Sequence, residues 1–522
     1  MRFVPPATRL LTFAGVEDIV IQSVEKVFPL VGLGRASLLV CFAVLGSGAA
    51  PSLIEGQAGA ARTGVPVGDV MTVARAADGR YISWREHIID DEAIAGAPIR
   101  GGDGLVMADL DLDGYLDVIS VHESDTEYDG VADGYVRLAF GSDDPDRWEL
   151  LTLAEGPEAG AAEDVSVADV NGDGYLDVIV AAELAHLIYF QNPGANARTA
   201  RWERIIPSVT RDRGSYIRVF FADFDGDGRP EVVAANKGAQ NTPNARTAEL
   251  SNISWFEIAG DPLDGSSWIE HVLTRVRVPI NSQPVDLDGD GDLDVVGGSR
   301  GEGRIMWFEN TSRGSISFVE HTIEIDASSV SGDVPTNARW RVTGFNLEYA
   351  DLSGDGRLDI ITGSGNSLVW LEQPANPSQA WRLHFIGSNA PDAMTGFAMA
   401  DINDDGRPDV ITGGYSRGPR DRDGDVTPAG SLGRLSWYEN PGNAESWIRH
   451  DISRRKRGMF DKFVPRDMDG DGDVDFVSTR GNSVPWDGVF WLEQVRTPEP
   501  VASFERARTE DSEEMPLPVG RD

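Results

Sequence analysis

A single cysteine, Cys41, stands in 522 residues. No internal disulfide can brace such a chain, and zinc-finger or cysteine-nucleophile chemistry lacks its residues. Histidine is scarce, with seven copies, and so is positive charge: 46 Lys and Arg against 85 Asp and Glu leave a formal net charge of −39. That excess repels nucleic acid and anionic membrane surfaces at every approach. No Ser-His-Asp order, phosphate loop or dinucleotide fingerprint is present, and the GEGR stretch at 301–304 reads as a turn. A membrane-spanning run is missing as well. The apolar segment ASLLVCFAVLG at 36–46 falls short of the ~20 residues a bilayer requires. It follows Arg35 and leads into Ser47, Gly48, Ala49 and Ala50. A positive flank, a short apolar stretch and a small-residue exit describe a secretory signal. The expectation is a signal peptide cleaved near Ala49, or an N-terminal anchor over 1–50, with a linker over 51–80 and no other membrane insertion.

What the chain does contain is turns. Its 58 Gly and 29 Pro disfavour long helices, while 41% hydrophobic residues suffice for a sizeable core. One acidic nonapeptide recurs seven times, roughly every 60 residues. The copies are DLDLDGYLD from Asp109, DVNGDGYLD from Asp169, DFDGDGRPE from Asp223, DLDGDGDLD from Asp286, DLSGDGRLD from Asp351, DINDDGRPD from Asp401 and DMDGDGDVD from Asp467. Each is preceded by an apolar segment and followed by a β-branched run, so the local unit is strand, acidic turn, strand. Oxygen donors at positions 1, 3, 5 and 9, with Gly at 6 for the sharp turn, suit a hard cation that takes six to eight oxygens, such as Ca²⁺. The candidate ligands are Asp109, Asp111, Asp113 and Asp117; Asp169, Asn171, Asp173 and Asp177; Asp223, Asp225, Asp227 and Glu231; Asp286, Asp288, Asp290 and Asp294; Asp351, Ser353, Asp355 and Asp359; Asp401, Asn403, Asp405 and Asp409; and Asp467, Asp469, Asp471 and Asp475. The Ser353 turn is the weakest of them. An EF-hand is excluded, because position 12 is never Glu and lies inside a strand-like run.

Two further signatures lie between the turns. One strand carries an aromatic and then an acid or amide: IYFQN (188–192), SWFE (254–257), MWFEN (306–310), VWLEQ (369–373), SWYEN (436–440) and FWLEQ (490–494). The next carries Trp-x-x-His at Trp268/His271, Trp381/His384 and Trp447/His450, with Phe318/His321 as a variant. Each period therefore holds four strands. The last copy lacks its fourth strand, while an orphan, Trp84-Arg85-Glu86-His87, precedes the first. An N-terminal strand can complete the last unit and leave no free edge. The fold predicted over 81–495 is all-β: a seven-bladed β-propeller of four-stranded antiparallel blades, closed by that strand. The repeat resembles the FG-GAP/VCBS family, whose integrin α-subunit members form seven-bladed, calcium-binding propellers. The resemblance implies that the acidic turns join the first and second strands of each blade on one face, with up to seven structural Ca²⁺ sites. It implies that the turns between strands 2 and 3 share the opposite face with the blade-to-blade connections. No MIDAS-like inserted domain is present, so integrin-type ligand binding does not carry over.

Residues that obey the repeat read as architecture; those that depart from it are candidates for function. His122 and His186 are the only histidines outside the repeat, and Trp340 and Trp486 the only tryptophans. With Glu123 and Glu183 they fall on the face opposite the acidic turns, where Arg218, Lys237, Arg300, Arg341, Arg417, Lys462 and Arg480 also gather. A basic funnel on so acidic a chain suggests an anionic ligand. DTEYDGVAD from Asp125 partly matches the acidic turn and marks a further, off-register cation site. The polar residues 415–433 read as a flexible loop, and 496–522 as a disordered acidic tail. The expected function is an exported, monomeric, calcium-stabilised module that binds a glycan or a cell-surface protein, in the secreted, periplasmic or cell-surface space. The alternative is a carbohydrate-active lyase or dehydratase, as some relatives with this repeat are. His122 or His186 would then act as the base in the funnel.

Overall fold

The structure, a computed structural model, describes residues 64–518 apart from 125–129, 185, 329 and 331–339. The export segment, Cys41 and most of the acidic stretch from Asp125 lie outside the described residues. Short apolar segments between Gly- and Asp-rich turns form seven antiparallel sheets, set as blades in a ring. Blade 1 comprises Gly102–Ala108, Asp117–His122, Tyr135–Phe140 and Glu149–Glu155. Blade 2 comprises Ala162–Ala168, Asp177–Ala182, His186–Gln191 and Glu203–Ile205, and blade 3 Tyr216–Ala222, Glu231–Asn236, Leu250–Ile258 and Trp268–Arg277. Blade 4 runs from Pro279–Val285 through Asp294–Ser299 and Arg304–Asn310 to Phe318–Thr322. Blade 5 comprises Leu347–Ala350, Asp359–Ser364, Ser367–Glu372 and Trp381–Ser388, with Ile325–Asp326 added outside in parallel. Blade 6 holds Ala393–Ala400, Asp409–Tyr415, Gly433–Glu439 and Ile448–Arg455.

Blade 7 closes the ring. Its first three strands are Phe463–Arg466, Asp475–Arg480 and Gly488–Thr497; the fourth is the N-terminal Tyr81–Asp91, with Trp84 opposite Gln494. The seam has a core of its own, in which Ile89, Val477, Val489 and Trp491 of blade 7 meet Leu105, Val118 and Ala139 of blade 1. Second strands such as Asp117–His122 and Asp177–Ala182 are buried at every position. Side chains of both their faces pack against neighbouring blades, as Ile179 and Ala181 do against Val219 and Phe221.

The two aromatic signatures prove to be one device. The third-strand Trp stacks on the fourth-strand His of the same blade, and that His bonds the acid two residues after the Trp. His271 lies on Trp255 at 4.0 Å and His384 on Trp370 at 3.9 Å; their Nε2 atoms meet Glu257 at 3.3 Å and Glu372 at 2.8 Å. His321 with Trp307 and Glu309 repeats this, as does His450 with Trp437 and Glu439. Across the closing seam His87 stacks on Trp491 at 4.1 Å and reaches Glu493 at 2.8 Å. The fourth-strand Trp is fixed differently, its indole N–H donating to a carbonyl of the preceding turn: Trp202 to Ala197, Trp268 to Pro262 and Trp381 to Pro377. These contacts lock adjacent strands and the turns beside them.

The composition of 496–522 predicts a disordered tail, yet residues 496–518 are packed. Phe504 is buried and its strand pairs in parallel with Trp84–Arg85. Asp511 sits between Arg455 (2.9 Å) and Arg480 (2.6 Å). The backbone also ties this segment to the N-terminal flank, with Thr72 N donating to Val501 O at 2.7 Å and Val67 N to Met515 O at 3.1 Å. Polar composition misled because buried arginines hold the segment's acids, while Phe504 joins an apolar cluster with Trp84 and Phe476.

Candidate functional site: acidic turns and the opposite mouth

Every nonapeptide joins the first and second strands of its blade at one end of the ring. Each passes twice through left-handed backbone. Position 6 is always Gly, with φ between 82° and 98°. Position 4 is Gly172, Gly226, Gly289, Gly354 or Gly470 in five turns, and Leu112 or Asp404 in the others, again with positive φ. The second bend is written in the sequence as the Gly at position 4 of most copies. The bends aim backbone N–H groups at the first carboxylate: Asp109 accepts from Gly114 at 3.0 Å, Asp223 from Gly228 at 2.9 Å and Asp401 from Gly406 at 2.8 Å.

The ninth residue is a buried anchor. Asp294 accepts from Leu287 N at 3.1 Å and Asn310 N at 2.7 Å; Asp475 accepts from Met468 N and Gln494 N, both at 2.8 Å. Burial pushes these carboxyls up despite those bonds, Asp409 and Asp475 to about 8 and Asp117, Glu231 and Asp294 to about 7. The amide that ends the third strand then clamps the preceding blade's turn. Asn192 Nδ2 donates to Leu110 O (2.8 Å), Asn310 to Phe224 O (2.8 Å), Gln373 to Leu287 O (2.9 Å) and Gln494 to Ile402 O (3.0 Å). The acid-or-amide signature therefore contains two functions: the acid holds the His, and the amide locks blade to blade.

The donor sets fit a hard cation. In four turns three carboxylate oxygens lie within 4.8 Å of one another: Asp109, Asp111 and Asp117; Asp223, Asp225 and Glu231; Asp286, Asp288 and Asp290; and Asp467, Asp469 and Asp475. The other three turns carry Asn171, Ser353 or Asn403 at position 3, so they have one carboxylate fewer to gather. Arginines lie on some of the acids. Arg198 meets Asp111 and Asp113, Arg357 meets Asp355, and Arg407 meets Asp405.

At the opposite end the repeat defines equivalent positions that carry unlike side chains. In four blades the first N–H beyond the second strand bonds the carbonyl just before the first strand: Glu123 to Gly101, Glu183 to Ala161, Lys237 to Ser215 and Arg300 to Val278, all at 2.7–2.9 Å; Ser416 of blade 6 donates instead to Gly458, ahead of blade 7, at 2.8 Å. First strands open on bulges near Gly102, Ala162, Tyr216, Pro279 and Met394. Polar residues there form a belt around the axis. Val219 N donates to Asp164 (3.2 Å), Arg218 Nη2 to Asn346 (3.4 Å), Asn281 to Phe345 O (3.1 Å), Asn346 to Thr395 O (2.8 Å), Thr395 Oγ1 to Phe460 O (2.9 Å) and Thr479 Oγ1 to Asp103 O (2.9 Å).

The basic funnel expected here is largely neutralised. Lys237 is buried in an ion pair with Glu183. Arg480 is held by Asp511. Lys462 is buried beside Asp164 and Glu348, and burial lowers it to about 7. Arg218 donates to Ile217 O at 2.7 Å and lies over the Phe345 ring at 4.7 Å. Arg417 lies over Tyr415 at 5.4 Å, and Trp486 is covered by Arg508 at 4.8 Å. Trp340 is half-buried, and Arg341 donates to Arg300 O at 2.8 Å. His122 has no exposed surface; its Nε2 meets Ser120 Oγ at 3.0 Å, and burial lowers it to about 3. His186 is buried too, bonded to Glu158 O at 2.8 Å, and burial lowers it. Glu123 is buried at the same level. Asp103, Glu163, Asp164, Glu348 and Asp461 belong to this belt and were missed. They sit in first strands or just before them, where one acid in an apolar run gives no signal of facing an axis. Burial raises the carboxyls of Asp103, Glu163, Glu183 and Glu348.

A family model described as an FG-GAP-like repeat matches residues 109–180, 169–234 and 351–412. No curated protein sequence matches the chain. Among solved structures, that of an Agrocybe aegerita lectin, described as specifically recognising non-reducing terminal N-acetylglucosamine, is similar over 78% of this chain and 88% of that one, at 12% identity and a TM-score of 0.41. So distant a likeness does not bear on this chain's ligand. With the matched turn repeated seven times, one to each blade of a closed ring, the chain is an FG-GAP repeat β-propeller.

Proposed function

We propose that this propeller is an exported, monomeric binding module. Cations, Ca²⁺ by the chemistry of the donors, brace one end, and the opposite end receives a glycan or a protein partner. One contrast carries the reading: the seven turns repeat one pattern of oxygen donors, while equivalent positions at the other mouth differ in charge from blade to blade, as Glu123, Glu183, Lys237, Arg300 and Ser416 do. A rigid ring with individual loops is how repeat scaffolds support recognition. The experiment is a thermal-shift screen of the chain, in calcium, against neutral and acidic glycans, read in parallel for new ultraviolet absorbance. Stabilisation without turnover supports the binding module. Turnover to an unsaturated product replaces it with the lyase alternative. Absence of any glycan effect leaves a protein partner as the ligand.

A further inference from the structure

Charge is not shared evenly around the mouth. Lys237 of blade 3 is matched by Glu183 of blade 2, and Arg480 of blade 7 by Asp511. Between blades 3 and 5 the balance reverses. The turn Arg300–Arg304 of blade 4 is wedged between two loops. A Cβ at Gly301 would meet the Ala245 carbonyl oxygen at 2.5 Å, which places the blade 3 loop against one side. A Cβ at Gly303 would meet Arg341 Nε at 2.7 Å, so the bare backbone cradles that guanidinium on the other side. Arg341 is fixed further by its 2.8 Å bond to Arg300 O. Arg246 follows Ala245 and is exposed. The turn's own acid, Glu302, is taken by Arg304 at 2.9 Å and Arg277 at 3.8 Å. Neither Arg246 nor Arg341 has a carboxylate partner among the described residues. Partial burial and the like charge of Arg246 hold the Arg341 guanidinium below its usual range. On a chain of net charge −39, two arginines on either side of one turn, with no carboxylate partner among the described residues and one of them docked in place, set up a local positive field.

We propose that Arg246 and Arg341, on either side of the Arg300–Arg304 turn, bind the acidic group of a saccharide, a uronate carboxylate or a sulfate ester. The proposal rests on the glycan reading above and narrows it to one sector and one chemistry. A guanidinium already docked loses little freedom on binding, and its free N–H groups suit the two oxygens of either anion.

The test is a calorimetric titration of the full chain in saturating calcium with three probes: an oligogalacturonate, a heparin oligosaccharide and cellohexaose. The two acidic probes distinguish carboxylate from sulfate. The expected result is binding of at least one acidic probe, weakened by salt and reduced roughly tenfold by Arg246→Gln and by Arg341→Gln. Arg313→Gln, in a turn at the other end of blade 4, leaves it unchanged. A melting curve for each variant separates lost binding from lost fold, and Arg341→Lys keeps the charge without the fork. Acidic probes that bind no tighter than cellohexaose, or bind regardless of both substitutions, overturn this site while leaving glycan binding intact. No binding of any probe overturns both this site and the glycan reading.

Discussion

Leu112 is the residue that shows what the turn demands. It holds the left-handed position 4 with φ 60°, where five other copies place Gly, and its side chain is 55% exposed. A side chain there costs about 1 kcal/mol and recovers little by packing. Leu112→Gly is therefore expected to stabilise the chain by about 1 kcal/mol in denaturant titration, and a loss of stability would show that the leucine packs usefully. His122 behaves oppositely. Its folded value of about 3 lies below the ordinary 6.5, so the folded state binds fewer protons than the unfolded chain. Its contribution is complete above pH 6.5 and is lost as pH falls toward 3. His122→Gln keeps a partner for Ser120 and should flatten the acid limb of the stability curve. An identical acid limb in the variant would show that another group governs it.

The terminal segments make the same point for elements. Burial alone would raise Asp511, and Arg480 and Arg455 more than reverse it, holding its carboxyl far below the usual range. Asp511→Asn leaves two buried guanidiniums underpaired, at a cost of about 3 kcal/mol. A chain ending at Thr497 loses Phe504, Ser512 and Met515 besides, and its thermal midpoint should fall below that of Asp511→Asn. Equal midpoints for truncation and wild type would make the segment dispensable. Of the fold, the blades, their count and the closing strand were legible because the nonapeptide, the Trp-x-x-His and the orphan at Trp84–His87 each mark a fixed strand. The tail was not, since Asp511 and Glu514 have partners more than fifty residues away in blade 6, at Arg455 and Arg454. The mouth was half legible. Its loop residues stood out from the repeat, but which of them meet an acid depends on blade-to-blade packing. Lys237 finds Glu183, while Arg341 finds the Arg300 carbonyl and no acid among the described residues, which no spacing announces.

For the whole molecule the acidic turns set the response to cations and to pH. Seven turns concentrate carboxylates that a cation would neutralise, so chelator should lower the melting temperature and calcium restore it. An unchanged melting temperature in chelator would remove the structural role of the metal. The pH dependence follows from the ninth residues. Without cation Asp409 and Asp475 are raised to about 8 in the fold, so the folded state binds more protons than the unfolded chain. Stability in chelator should then be greatest in acid and decline as pH rises from about 4 to 8. A bound cation holds the same carboxylates ionised. The gap between the calcium and chelator melting temperatures should therefore widen across that range, and a constant gap would count against these residues as ligands. Closure of the ring also imposes an order in time. Tyr81–Asp91 is made first among the blade strands, but its partner Gly488–Thr497 is nearly the last. At roughly 5–20 residues per second, a nascent chain carries that strand unpaired for some tens of seconds. Six blades can assemble on a growing chain, and the seventh must wait until Gly488–Thr497 has been made.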